Sequence, residues 1–270
     1  MKKFKNILII SDIDGTLVDE TWKVSKENIT AARYFMDNGG TFTYATGRQA
    51  KVTQGIVSQL MPNAPVICYN GAAIYDFSKN EYLWISAMDD GVEFAINDIL
   101  KNCDIVNLEI NTPDRMCSLK DIDATVPRYE KFLPFFTKVD CPQSVERPWL
   151  KIVIVCESKK MPSVRSYIES QPYYKNYQFS QSASFLYEFL TPGVNKGSAL
   201  NQFKKLLDKD YKIIALGDNE NDIDLIRSAD IGFAVASSSK FLLDNCSNIT
   251  VSMKDHALAD IIEKLDKGLI

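Results

Sequence analysis

The chain has 270 residues, 46% of them hydrophobic, which suffices to bury one large core or two modest ones. Its 31 basic and 35 acidic residues are interspersed and sum to a formal charge of -4, so no basic block stands ready to neutralise a row of phosphates, which argues against nucleic-acid binding. No apolar run approaches the roughly 18 residues of a membrane span, and the run Ile7 to Ile10 behind the basic start is too short for an export core.

The six cysteines form no C-x-x-C pair and read as reduced core thiols, and with no export core the two glycosylation sequons, Asn28-Ile29-Thr30 and Asn248-Ile249-Thr250, are set aside. A cytoplasmic location without a membrane partner is the expectation. Oligomeric state is not readable.

In chain order, short apolar runs alternate with segments of helical period, the pattern of a parallel sheet covered on both faces. Asn6 to Ser11 reads as the first strand. Ser25 caps a helix ending near Asp37, stopped by Asn38-Gly39-Gly40. Thr41 to Ala45 is a second strand, Val52 to Leu60 lies in a second helix, and Pro65 to Tyr69 is a third strand. From about Ser86 to Phe189 the texture changes: aromatics cluster, and strand candidates such as Val106 to Ile110 and Leu150 to Val155 are more widely spaced. Helices are expected at Gly91 to Leu100 and around Met161 to Gln171. The first grammar then returns, with Lys196 to Leu207 as helix, Lys212 to Leu216 as strand, Asn221 to Ser228 as helix and Ile231 to Val235 as strand. The fold class is therefore α/β, a doubly wound, Rossmann-like parallel-sheet core of residues 1–85 and 190–270, with an inserted α+β cap domain at 86–189.

Ligands of an open parallel sheet bind at the carboxyl ends of its strands. Strand one ends in Ser11-Asp12-Ile13-Asp14-Gly15-Thr16, strand two in Thr46-Gly47-Arg48, strand three in Asn70-Gly71, and the late strand in Gly217-Asp218-Asn219-Glu220-Asn221-Asp222. Asp12, Asp14, Asp218 and Asp222 can all face one crevice, where their mutual repulsion calls for a cation. Mg²⁺ suits oxygen donors, whereas Zn²⁺ would want His or Cys and the chain has 1 His. A bound phosphate would need donors: the Thr46 hydroxyl, backbone N–H groups around Ile13 and Gly47, and Lys196, a cation set against the helix macrodipole.

Asp12-Ile13-Asp14-Gly15-Thr16-Leu17, Ala45-Thr46-Gly47-Arg48, Gly193-Val194-Asn195-Lys196-Gly197, and Gly217-Asp218 with Asn221-Asp222, in that order, resemble the four motifs of the haloacid dehalogenase superfamily. Asn70-Gly71-Ala72 followed by a long insertion resembles the Cof-type branch, whose members carry a large α/β cap and mostly hydrolyse sugar phosphates or related metabolites. The resemblance implies that Asp12 attacks phosphorus and that Asp14 protonates the leaving oxygen and later activates water. It further implies that Thr46 and Lys196 hold the phosphoryl oxygens, with Asn221 contacting them. Asp218 would ligate Mg²⁺ together with Asp12 and the backbone carbonyl of Asp14, and Asp222 would steady the loop or Lys196. The function so implied is Mg²⁺-dependent hydrolysis of small phosphomonoesters such as sugar phosphates. A phosphosugar mutase and a phospho-accepting signalling module are the alternatives.

Two departures from the family pattern stand out: Gln49 where Pro is common, and Val235-Ala236-Ser237-Ser238-Ser239 after the last core strand, whose role stays open. Arg48 reads as a structural salt-bridging residue and His256 as a surface or capping residue. Asn111, Arg115 and Glu188 are polar candidates for contact with a leaving group.

Overall fold

In a computed structural model, residues 2–122, 132–207 and 210–270 are described. The strands are β1 (Ile7–Ser11), β2 (Thr41–Tyr44), β3 (Val66–Cys68), β4 (Ala73–Asp76), β5 (Glu81–Ile85), β6 (Asn107–Asn111), β7 (Met116–Ser118), β8 (Phe136–Lys138), β9 (Lys151–Val155), β10 (Gln178–Ala183), β11 (Leu186–Leu190), β12 (Lys212–Gly217), β13 (Ile231–Val235) and β14 (Ile249–Thr250). The α-helices are α1 (Lys26–Asp37), α2 (Ala50–Val57), α3 (Val92–Asn102), α4 (Met161–Glu169), α5 (Lys196–Leu206), α6 (Ile223–Ser228), α7 (Lys240–Asn245) and α8 (Ala257–Asp266). The chain divides into two compact units, Met1–Trp84 with Asn195–Ile270, and Ile85–Val194.

The first unit is built on a parallel sheet in the order β14-β13-β12-β1-β2. Successive strand side chains alternate between faces, so one face gathers Leu8, Ile10, Ile213 and Ala215 against Ala199, Leu200 and Phe203 of α5 and Leu225 of α6. The other face carries Ile9, Phe42 and Ile214, all fully buried, on the side where α1 packs. α1 starts where Ser25 Oγ accepts the Asn28 N–H at 3.2 Å and ends at Asn38, followed by Gly39 at φ +93°. Helix α8 is tied alongside it: the Ala259 N–H donates to Asn28 Oδ1 at 3.0 Å and Tyr34 donates to Asp266 at 2.7 Å.

Two elements differ from the sequence expectation. β3 is only three residues long and ladders antiparallel with β4; it meets β2 through a single parallel bridge, Ala45 with Ile67. Pro65 has no N–H to extend that ladder backwards. Helix α2 stops at Val57, where Ser58, Gln59 and Leu60 turn back on the carbonyls of Gln54 and Ile56, ahead of Pro62.

The second unit is a six-stranded sheet in the order β10-β11-β9-β6-β7-β8, antiparallel except for the β7 and β8 pair. Helices α3 and α4 lay Val92, Ala95, Ile96, Ile99, Met161, Val164 and Ile168 on Leu108, Ile110, Ile152, Ile154 and Phe189. Tyr173, Tyr177 and Tyr187 join this core. On the other sheet face Lys151 pairs with Glu188 at 3.0 Å, both side chains buried, and Ser182 donates to the same carboxylate at 2.8 Å. Of the other polar residues singled out here, Asn111 is buried, while Arg115 is largely exposed and 3.5 Å from Glu146.

All six cysteines are free. Cys68, Cys117 and Cys156 are buried, but Cys141 is exposed, so the core reading fails for that thiol. No helix among the described residues is long and apolar enough to cross a membrane.

Candidate active site

The ends of β1, β2 and β12 and the start of α5 deliver the site. Asp12 continues the ladder beyond β1, its N–H donating to the Leu216 carbonyl at 2.9 Å. The chain then doubles back, with Leu17 and Val18 donating to the Ile13 carbonyl and Gly15 to that of Val18, each at 2.9 Å. Gly15 is required twice over. Its φ is +82°, and a Cβ there would stand 2.3 Å from Asp218 Oδ2. Thr16 Oγ1 donates to Asp218 Oδ1 at 3.0 Å, tying the first loop to the end of β12.

Lys196 sits at the first helical position of α5, behind the Asn195 cap, which accepts the Ser198 N–H at 2.8 Å. Its side chain has no solvent exposure, and Nζ donates at 2.6 Å to Asp12 Oδ1 and at 2.6 Å to Asp222 Oδ1. The second Asp222 oxygen accepts the N–H groups of Asp218 and Asn219 at 3.0 and 3.1 Å. Asp222 is thus a bracket, fully engaged by the lysine and by the loop it closes.

Asp12, Asp218 and Asp222 bring carboxylate oxygens within 4.8 Å of one another. Three carboxylates face one ammonium, and the surplus negative charge acts on their protonation. Burial, then the Asp222 charge, pushes Asp12 up to about 7 despite Lys196. Burial, then the charges of Asp12 and Asp222, likewise lifts Asp218 well above the carboxylate range. For Lys196, burial works to lower the ammonium, but Asp12 and Asp222 outweigh it and hold it above the ordinary lysine range. A hard divalent cation fits this donor set. Asp12 Oδ1 and Asp218 Oδ1 are engaged by Lys196 and Thr16, which leaves their Oδ2 atoms to a metal, and Gly15 keeps the space around Asp218 Oδ2 clear.

Thr46 is fully buried beyond β2, with its hydroxyl accepting the Arg48 N–H at 3.1 Å and its carbonyl the Asn70 N–H at 3.0 Å. Tyr69, Asn70 and Gly71 follow β3 with φ of +54°, +54° and +106°. The turn aims the Asn70 amide oxygen at Asn221 Nδ2, 2.9 Å away, and a Cβ on Gly47 would lie 2.9 Å from the same oxygen. Val235 to Ser239 closes the rim: Ser239 donates from its N–H to the Asp218 carbonyl at 2.8 Å and its hydroxyl caps α7.

The structure therefore brings Asp12, Asp218, Asp222 and Lys196 together, with Thr46, Gly47 and Asn221 beside the Asn70 turn. It does not bring the Asp14 side chain into the carboxylate group: both its oxygens are held by Arg48, at 2.8 and 2.5 Å. Arg48 is the ion-pairing residue expected, but its partner is the candidate acid and base itself. Asn70 was not singled out as a site residue. Its signal was the Asn-Gly pair after a strand, which marks a left-handed turn without saying what the amide meets.

Fold and site together define an α/β protein with a parallel-sheet core, whose strand-end aspartate is flanked by a lysine and further carboxylates. Residues 9–262 match the sequence family described as haloacid dehalogenase-like hydrolase. YxeH of Bacillus subtilis is 27% identical over 96% of this chain and 97% of its own length. The 5-amino-6-(5-phospho-D-ribitylamino)uracil phosphatase YwtE of Bacillus subtilis is 24% identical over 96% of this chain and 98% of its own. In fold, the crystal structure of a haloacid dehalogenase-like hydrolase from Bacteroides thetaiotaomicron superposes with a TM-score of 0.82 at 19% identity, covering 97% of this chain and 100% of that one. The chain belongs to the haloacid dehalogenase-like hydrolases, in their Cof-type phosphatase branch.

Proposed function

We propose that the protein is a Mg²⁺-dependent phosphatase of small phosphomonoesters, sugar phosphates above all, and that Asp12 carries the phosphoryl group between two displacements. The observation that supports this best is the Asp12 carboxylate: buried at a strand end, hydrogen-bonded through Oδ1 to a buried lysine, with carboxylate oxygens of Asp218 and Asp222 within 4.8 Å.

In the first displacement an Asp12 oxygen bonds to phosphorus as the bond to the leaving oxygen breaks, and Asp14 supplies the proton that oxygen takes. In the second, a water oxygen bonds to phosphorus, the bond to Asp12 breaks, and the water proton passes to Asp14. Lys196, the Thr46 hydroxyl, the Asn221 amide and backbone N–H groups at Ile13 and Gly47 hold the three outer oxygens and offset their charge. Mg²⁺, when held by Asp12, Asp218 and the Asp14 carbonyl, would offset the remaining negative charge of phosphate and carboxylates. Asp222 holds Lys196 and the Asp218 loop in place.

Residues 1–85 and 190–270 form the catalytic part of this reading, and the insertion at 86–189 selects the leaving group. The phosphorylated polyol side chain in the name of the relative YwtE is consistent with a sugar or sugar-alcohol phosphate. Six unbridged cysteines are consistent with a reducing, cytoplasmic setting.

The test is phosphate release from a panel of sugar phosphates, nucleotides and 4-nitrophenyl phosphate, with and without Mg²⁺, for wild type and Asp12→Asn. Metal-dependent release that disappears in the variant is expected. A sugar phosphate isomerised without loss of phosphate would point to a mutase instead.

A further inference from the structure

The Asp14 side chain lies outside the Asp12, Asp218 and Asp222 group, and one side chain bonds both its oxygens. Arg48 donates from Nε to Oδ2 at 2.8 Å and from Nη2 to Oδ1 at 2.5 Å. The arginine side chain is 4% exposed and the aspartate side chain 54%, so the fork is anchored in the protein and presents Asp14 on its open side.

The anchor has its own support. The guanidinium carbon lies 4.1 Å from the centre of the Trp22 ring, the stacking that a planar cation makes on an aromatic face. Trp22 has φ +57°, a region a bulky residue occupies only when its surroundings impose it. Gln59, just past α2, imposes it from both sides: Nε2 donates to the Trp22 carbonyl at 2.9 Å and Oε1 accepts the Val24 N–H at 3.0 Å. Gln59, Trp22, Arg48 and Asp14 form one chain of contacts ending at a reacting group.

We infer that Arg48, backed by Trp22 and Gln59, is a positioning residue that aims the Asp14 carboxyl group for proton transfer; the inference rests on the assignment of Asp14 to proton transfer. The fork takes both Asp14 oxygens side by side and fixes the plane of the carboxyl group. Each oxygen keeps a further lone pair outside the fork, so the open side of the carboxyl group is where a proton is exchanged. In the hydrolytic step the water oxygen bonds to the phosphorus on Asp12, the Asp12 oxygen leaves with the bonding pair, and the water proton moves to Asp14. Inorganic phosphate departs, and Asp14 is left protonated for the next leaving group.

The test uses 4-nitrophenyl phosphate, whose leaving group departs without a proton, so that slowing of the second half-reaction shows in kcat. Arg48→Ala is expected to lower kcat about tenfold or more. kcat/KM should fall by less, with a burst of 4-nitrophenolate and phosphorylated enzyme in the intact mass spectrum. Arg48→Lys keeps the charge without the fork and should stay slow. Trp22→Leu and Gln59→Ala should act in the same direction by smaller factors, which keeps the test decisive if Arg48→Ala does not fold. Asp14→Asn should also accumulate phosphorylated enzyme. Equal falls in kcat and kcat/KM, without burst or adduct, in the Arg48, Trp22 and Gln59 variants while Asp14→Asn accumulates the adduct, would overturn the inference. If Asp14→Asn accumulates none, the assignment of Asp14 falls first and the inference with it.

Discussion

Lys196 is the residue whose environment is least forgiving. It is fully buried and bonded to both Asp12 and Asp222. Lys196→Met removes the ammonium and leaves two buried carboxylates facing each other, an uncompensated arrangement that costs about 3–5 kcal/mol. Chemical denaturation of the variant should show that loss together with loss of activity, and an unchanged stability would contradict the pairing. The identity of this lysine was legible in the sequence because a cation at a helix start demands an anion. Which anions it meets was not, since Asp12 and Asp222 are brought to it by two separate strands. The same limit explains Arg48. A Thr-Gly-Arg run after a strand marks a polar end, but the match of its fork to Asp14, and the stacking on Trp22, exist only once the loop after β1 has folded back.

At the scale of elements, glycines carry the precision of the site. A Cβ on Gly71 would stand 2.2 Å from the carbonyl oxygen of Asn195, at a φ of +106°. Gly71→Ala therefore strains the turn and presses on the start of α5, which positions Lys196. The expected result is a loss of about 1–3 kcal/mol in stability and a fall in kcat larger than for a surface substitution. Gly193→Ala serves as the control: it also has positive φ, +71°, but nothing lies within 4 Å of its added Cβ. Equal effects of the two on kcat would contradict this role for Gly71. Strand and helix positions were readable wherever periodicity and caps agreed, as for α1 from Ser25 to Asn38 and for β13. They were not readable where pairing decides. The run Pro65 to Tyr69 has the composition of a core strand, yet only Val66–Cys68 forms one, and its ladder partner is β4.

For the whole molecule the surplus of buried carboxylates sets how stability responds to pH and metal. Burial and the neighbouring carboxylates raise the folded-state pKa of Asp12 from the ordinary carboxylate range to about 7, and Asp218 is raised as well. Groups raised on folding add stability below their unfolded pKa and lose it as pH climbs through the folded one. Without divalent metal, this contribution should fall from pH 4 to pH 8 by on the order of 2–4 kcal/mol. Asp218→Asn removes part of the repulsion, so the variant should gain on wild type as pH rises from 5 to 8 in chelator. Added Mg²⁺ should reverse the order by stabilising wild type and leaving the variant nearly unchanged. Thermal unfolding at the two pH values, with and without Mg²⁺, reads both effects, and a gap that does not move with pH would contradict the charge account. The parallel core and the insertion were legible from the change in texture near Ser86 and its return near Lys196. The buried Lys151 and Glu188 pair was not, because its partners lie on different strands, β9 and β11, and neither carries a motif.

Peptide mapping of wild-type enzyme, acid-quenched during turnover of 4-nitrophenyl phosphate with Mg²⁺, tests the central claim most directly. The account predicts a phosphoryl group on Asp12 and none in Asp12→Asn. Turnover in wild type with the phosphoryl group on another residue, or undiminished turnover in Asp12→Asn, would contradict it.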